Sequence, residues 1–462
     1  MTAEVVALRE HSSEDVVYRT GPGTSEALRE ALGAKSGKTT EKQYACDRGE
    51  PAALAWWVEP CGEEEYDVHV DTSFFVGADW IVPGYLAVCV VPKLDREEGS
   101  AEEGRVDTLR MLRDALADPD PDPERLSELA GLFEVHFDRP AVPLRDESEE
   151  LGLFLAALYL ASLTRIIKKG LKKHFYPVDE ALCRKIKGRI LFPATLARRS
   201  SLRLADRIEC RYQEFGIDTA ENQVLKRALR ILSASFLRME GKGAAGDLAA
   251  ETLRILRHFE AVSDVNVRAV EASRLSKKTN PVFRDYVTAL KLAEKIIRYE
   301  SFGSQREVAE KTVPAHWIDM SKLFELYVLA KLRQKFRGEG IIRYQYGVRR
   351  QYPDFLCALG EKADGTEFPR YFVADAKYKP RYADGNANQV DDDRQLAGYA
   401  RLKGVLDHFE TRGRSREDRL QMLPCVLIYP DQSESEELSS EQLREIDGWE
   451  EYYKIGLRLP ER

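Results

Sequence analysis

The chain is poor in both cysteine and histidine, with seven of each among 462 residues. The cysteines are scattered from Cys46 to Cys425 and no two form a CxxC pair. That argues against a disulfide framework or a closed structural zinc site and fits a reducing compartment. The histidines form no HxH, HExxH or HNH-like cluster, which excludes the hydrolases and nucleases that work through grouped imidazoles. No GxSxG elbow is present, so a serine hydrolase of that kind is excluded too. Long apolar runs are also missing. The longest, Leu151 to Leu163, falls short of the ~20 residues a bilayer span needs and suits a buried core helix. The opening MTAEVVALREHSSED has neither a basic nor an apolar leader segment. A cytoplasmic protein with no membrane role is expected. With 70 basic and 78 acidic residues the net charge is −8, which excludes a simple basic nucleic-acid coat.

What is present is unevenly distributed. Asp95 to Glu150 carries 18 acidic and 7 basic residues, whereas Arg165 to Arg211 carries 14 basic and 4 acidic. The acidic part contains DALADPDPDPERL, whose Asp-Pro steps forbid a continuous helix and predict a loop or linker. Before it, alternation in YDVHVDTSFF and the apolar YLAVCVVPKL predict strands. From Leu151 to Tyr299 the pattern is helical, with ENQVLKRALRILSASFLRM placing Val224, Leu225, Ala228, Leu229, Ile231, Leu232 and Phe236 on one broad face. The remainder alternates helix and strand. The expectation is an α/β multi-domain protein: a β-rich domain over 1–145, a helical domain over 146–305 and an α/β domain over 306–462.

One stretch carries chemistry, RRQYPDFLCALGEKADGTEFPRYFVADAKYK. It predicts strands over Tyr352 to Leu359 and Arg370 to Tyr378, joined by a polar, Gly-containing turn. Asp354 lies near the start of the first strand. Asp375 and Lys377, two apart on the second, project from one face. Two carboxylates on adjacent strands suit a Mg²⁺ ion (or Mn²⁺), which takes few protein oxygens and keeps waters and phosphate. A lysine beside them can orient a water or meet charge developing on phosphorus. Glu325, in the helix LFELYVLAKL, is expected to reach the same metal. Gln395 and Tyr399 stand four apart on one face of the helix DDDRQLAGYA and are expected to support the site or contact a nucleic-acid backbone. The reaction class these residues suit is metal-assisted phosphodiester hydrolysis.

These motifs resemble the PD-(D/E)xK nuclease core, with Pro353-Asp354 and Asp375-Ala376-Lys377 as its signature. More narrowly, DAKYK followed by a QLxxY helix is similar to McrC, the nuclease subunit of McrBC modification-dependent restriction systems. GLKKHFYPVDEALCRKIKGRILFP, then CRYQEFGIDTAENQVLKRAL with Asp218 and Asn222, extends the resemblance upstream, and PGYLAVCVVPKL echoes the family's strand ending in Pro-Lys. The resemblance implies a C-terminal PD-(D/E)xK restriction-endonuclease-like fold and a Mg²⁺-dependent DNA endonuclease. It also implies a β-rich N-terminal domain that docks an McrB-like AAA+ GTPase or ATPase ring. Glu325, Asp354 and Asp375 would hold the metal, and Lys377 and Gln395 would complete the active site. The competing expectations are a motor-independent restriction-type nuclease and a non-cutting activator of such a ring.

Two further features point to DNA or mimic a nucleotide site. Arg165, Lys168, Lys169, Lys172 and Lys173 follow a spacing that would align them on one helical face, suited to tracking phosphates, although Gly170 weakens the helix. Arg349 and Arg350, just before Asp354, are placed to meet a scissile strand. GAKSGKTT, by contrast, has three residues between its glycines where a phosphate-binding loop needs four, and it follows a helical segment instead of a strand. It is expected to be a loop.

Overall fold

The computed structural model describes residues 3–21, 23–36, 41–43, 52–62, 65–95, 104–117, 131–143, 148–202, 207–238, 244–265, 268–278, 284–304, 312–338, 340–348, 351–360, 368–379, 390–415, 421–446 and 448–462. The chain is mixed α/β and forms two compact units, Met1–Glu150 with Ala309–Arg462 and Leu151–Val308. The first and last of the three segments drawn from sequence therefore fall in one unit. Most of the Asp-Pro stretch lies outside the described residues, as do Arg349 and Arg350.

In the first unit a five-stranded sheet runs β1 (Glu4–Arg9), β7 (Leu86–Val91), β6 (Phe75–Val82), β12 (Ala315–Asp319), β8 (Phe133–His136). β12 comes from far along the chain and pairs antiparallel with both β6 and β8. β6 is buried along its whole length, Asp79 included, as strands covered on both faces are. Gly77 faces Trp317 at φ +148°, and a Cβ there would meet the His316 carbonyl oxygen at 2.1 Å. Only glycine allows that approach. A second sheet, β2 (Ser13–Arg19), β5 (Glu65–Thr72), β4 (Leu54–Gly62), β3 (Glu41–Gln43), shares a core of Trp56, Val68, Val88 and Trp317 with the first. SEALREAL forms the helix Glu26–Gly33, with the Ser25 side chain accepting from Leu28 N at its start, a regular N-cap. GAKSGKTT thus begins on the last residue of a helix, and its second half, 37–40, lies outside the described residues.

The third sheet of this unit has the order β13 (Gly340–Tyr344), β14 (Phe355–Leu359), β15 (Tyr371–Ala376), β16 (Cys425–Pro430), β18 (Tyr452–Leu457), β17 (Arg444–Glu445). β13, β14 and β15 are antiparallel neighbours, and β15, β16 and β18 are parallel. The parallel step needs a crossover, which the helices Val390–Ala400 and Lys403–Glu410 supply. Their Leu396, Ala400, Val405 and Phe409 bury against Leu356, Val373 and Leu427.

The second unit holds the helices Phe192–Leu202, Ala220–Arg238, Ala244–Leu256, Ala269–Lys278 and Arg284–Ser304, with most of Ser148–Lys169. The expected apolar face of Ala220–Arg238 is buried throughout. The periodicity did not predict a three-stranded antiparallel sheet, β10 (Arg189–Ile190), β11 (Arg207–Gly216), β9 (His174–Cys183). β9 and β11 are largely solvent-exposed, so they lack the alternation that marks a half-buried strand. The long helix carries the apolar run Leu151 to Leu163 and continues to Lys169. Glu150–Lys169 is apolar and long enough to cross a membrane, but 61% of that window is buried within the fold.

Asn222 ties one end of the β9–β11 strand pair to the helices. Its amide donates to the carbonyls of Lys172 (2.9 Å), two residues before β9, and Ile217 (2.7 Å), the residue after β11. Tyr286 Oη donates to Asn222 Oδ1 (2.8 Å) and accepts from Lys172 N (2.6 Å). Asn222→Ala strands these buried partners and is expected to cost about 2–3 kcal/mol, since each unsatisfied group costs roughly 1–3 kcal/mol. A lowered calorimetric transition for this unit would show it; an unchanged transition would contradict the clamp.

Candidate active site

Extending the β14–β15 register by one residue from the Phe355–Ala374 pair sets Asp354 opposite Asp375. Side chains directly opposite on an antiparallel pair share a face. The face is that of Leu356 and Val373, covered by the helix Val390–Ala400. Asp375 is 3% exposed, while Asp354 keeps some surface. Ala376 N donates to Asp354 Oδ2 (2.9 Å). Lys377, the first residue beyond β15, places its ammonium 2.8 Å from Asp375 Oδ2. At that distance the contact is a charge-assisted pairing of the ammonium with the carboxylate.

The covering helix completes the set. Lys377 Nζ donates to Gln395 Oε1 (3.1 Å) and Gln395 Nε2 donates to Tyr399 Oη (2.7 Å). Asp392, on the same face of that helix, lies 3.8 Å from Lys377 and 2.6 Å from Lys379. Glu325 enters from the helix Met320–Lys335, which Asp319 caps by accepting from Lys322 N. Its neighbours Phe324 and Leu326 are fully buried, which fixes the helix against the sheet. Lys322 Nζ reaches both Glu325 oxygens at 3.2 Å, and Gln345 Nε2 donates to Glu325 Oε1 (3.0 Å). Gln345 sits at φ +45°, uncommon for a side-chain-bearing residue and costly enough to be concentrated at functional sites. Its own N–H donates to the Asp354 carbonyl (2.8 Å).

Burial raises the Asp354 carboxyl well above its ordinary value, and the nearby Asp375 and Glu325 add to the shift. Burial raises Asp375 as well, against the pull of Lys377. Burial opposes the charge on Lys377, but Asp375 outweighs it and the ammonium is held above its usual value. Carboxylates crowded and desolvated in this way favour a proton or a cation. The donor set is hard oxygen, which suits Mg²⁺ or Mn²⁺. Among the described residues no group of three or more His, Cys, Asp or Glu side chains is placed to hold a metal. The acids therefore form no closed cage. One or two carboxylates with water and phosphate are the usual Mg²⁺ set, so Asp354 and Asp375 fit that donor chemistry.

Sequence alone did not single out Lys322, Gln345 or Asp392. Lys322 precedes Glu325 by three and Asp392 precedes Gln395 by three, so helical spacing would have found both. Gln345 had no local signal, because strand pairing and its left-handed backbone bring it in. Tyr399 is 9% exposed and is engaged with Gln395, so it supports the site more than it offers a surface. The basic stripe departs from expectation. The helix stops at Lys169, and Gly170 at φ +90° turns the chain, so Lys172 and Lys173 leave the helical face. Arg165 and Lys169 pair with Asp285, and Lys172 with Glu221. Lys168 and Lys173 are both exposed.

The model of the family described as McrBC 5-methylcytosine restriction system component matches residues 126–403. Comparison with curated proteins gives no match. Among solved structures, a half-complex from a tetradecameric assembly of Thermococcus gammatolerans McrB AAA+ hexamers with bound McrC is 14% identical. The match covers 98% of this chain and 94% of that one at a TM-score of 0.38. The cryo-EM structure of the Thermococcus gammatolerans McrBC complex is also 14% identical over 71% and 87% of the respective chains, at 0.29.

A carboxyl group whose proton is bound more tightly in the folded state opposes folding once it is ionised. That cost is full above the raised pKa of Asp354 and vanishes as pH falls below its ordinary 3.8. Asp354→Asn, which keeps an acceptor for Ala376 N, is expected to raise the melting temperature of metal-free protein at pH 8, with the gain shrinking toward pH 4. A loss of stability at pH 8 would refute this account of the acid pair.

Proposed function

Because the chain belongs to the family of McrBC 5-methylcytosine restriction system components, we propose that it is the DNA-cutting subunit of such a system, working with an McrB-like AAA+ ring that hydrolyses GTP or ATP. The observation that carries the proposal is the buried pair Asp354 and Asp375 with Lys377 ion-paired beside it and braced by Gln395. The order of the third sheet, antiparallel β13–β14–β15 continued by parallel β16 and β18, supports a PD-(D/E)xK fold for this part of the chain.

Asp354 and Asp375 would hold Mg²⁺ or Mn²⁺. When bound, such an ion neutralises charge on the scissile phosphate and acidifies a water. The rest falls to the chain. The Ala376 N–H holds Asp354 in place. Lys377 orients the attacking water or meets the charge that develops on phosphorus, and being desolvated it does so more strongly than in bulk water. Gln395, itself held by Tyr399, restricts the lysine to one position. Glu325 is the third acid, aimed by Lys322 and Gln345.

The test is cleavage of methylated and unmethylated plasmid by the chain with its ring partner, Mg²⁺ and GTP or ATP. Cutting is expected to need the partner and nucleotide. Lys377→Ala should lose about 10²–10³-fold, the usual effect of removing one transition-state donor, and Asp375→Ala should abolish cutting without unfolding the protein. Persistent cutting by Asp375→Ala would sink the assignment. Cutting without the ring would favour a self-sufficient nuclease. A rise in the ring's nucleotide hydrolysis with no cutting would favour a pure activator.

A further inference from the structure

Tyr378 follows Lys377 directly, and its surroundings come from the other end of the chain. Its ring is 3% exposed and lies 5.7 Å from that of Phe324, the residue before Glu325. Tyr378 Oη donates to Glu10 Oε1 (2.7 Å), just past the end of β1. Lys93, two residues beyond β7, donates its ammonium to the Tyr378 carbonyl oxygen (2.7 Å) and sits 3.9 Å from the centre of the same ring. Lys93 N donates to Glu10 Oε1 (3.0 Å), and Glu10 N to the Val91 carbonyl (3.0 Å). Glu10 is 2% exposed. The ends of two paired strands therefore present one acid and one base, both directed at a single tyrosine of the third sheet.

Burying an acid beside a half-buried ammonium is expensive, and it persists only where the geometry over-determines both. Here the group they hold is the backbone that carries Lys377. The Lys377 N–H is bonded to the Ile428 carbonyl (2.8 Å), and the Lys379 N–H to that of Lys377 (2.7 Å). Tyr378 lies between the two, so a shift of its carbonyl moves both. Through Phe324 the same ring also abuts the helix that bears Glu325.

We infer that Glu10 and Lys93 are positioning residues of the cutting site, holding Lys377 in place through Tyr378 and so making its alignment depend on the five-stranded N-terminal sheet. The inference rests on the nuclease assignment for its catalytic consequence, but not for the positioning itself. A load on that sheet, such as a bound partner, would reach the site along this path.

The full-length chain, with its ring partner for the cleavage arm, provides the test. Lys93→Met keeps the aliphatic stem and removes the donors. Tyr378→Phe keeps the packing and removes only the Glu10 bond. Hydrogen exchange of the Lys377 and Lys379 amides is expected to rise about tenfold or more in Lys93→Met, the scale on which a hydrogen bond to a charged group acts, and less in Tyr378→Phe. Exchange in β14 and β16 should stay as it is, since local opening is read amide by amide. In cleavage, kcat should fall about tenfold with KM for DNA unchanged, and Lys93→Arg should recover much of it. Unchanged exchange at Lys377 and Lys379 would overturn the inference whatever cutting does. An equal rise across β14 and β16 would also overturn it, by assigning a merely structural role. A confined rise in a protein that cuts no DNA would uphold the positioning role and defeat the nuclease assignment instead.

Discussion

Two carboxylates held out of water beside one ammonium dominate the organisation of the first unit. Asp375, Asp354 and Lys377 lie at the ends of paired strands where a solvated surface would be far cheaper. Everything around them limits that cost. The sheet register sets the acids opposite each other, Ala376 N and Gln395 satisfy polar atoms that water has left, and Asp392 shares the positive charge. Burial still raises both carboxyl groups above their ordinary values, so the pair is held at a cost that the surrounding fold must offset.

The second unit handles charge differently. Its basic segment looks from composition like an open track for a polyanion, but Asp285 and Glu221 answer three of its cations. Paired charges of this kind set the geometry of the helix end and of one end of the β9–β11 strand pair more than they add stability. Asn222 does similar work with neutral groups, gathering two carbonyls and a tyrosine hydroxyl at one side chain. The Asp218-x-x-x-Asn222 pair is accordingly architectural. Asp218 caps the Ser263 turn through its N–H and hydroxyl, and neither residue is placed for catalysis in this unit.

Much of the site was legible because its members sit in short, regular segments. Asp375 and Lys377 are one strand period apart, and Gln395 and Tyr399 are one helical turn apart, so local periodicity alone put each pair on a face. The apolar face of Ala220–Arg238 was legible for the same reason. The exposed strands β9 and β11 were not, because a strand with no buried face carries no alternation to read. The basic stripe was misread at Gly170, where a left-handed turn ends the helix before the spacing is complete. Gln345 was illegible on principle, since its role depends on a backbone conformation that few residues adopt.

Composition and periodicity by themselves determined that the chain is mixed α/β, that its middle is largely helical, and that two acids and a lysine would meet at a strand end. These follow from interactions spanning a few residues, which spacing encodes directly. Only the tertiary structure decided that β12 returns to the N-terminal sheet and that Glu10 and Lys93 reach Tyr378. It also decided which basic residues are already neutralised. Those outcomes depend on contacts between residues hundreds of positions apart, where burial and charge pairing select the partner and no local pattern records the choice.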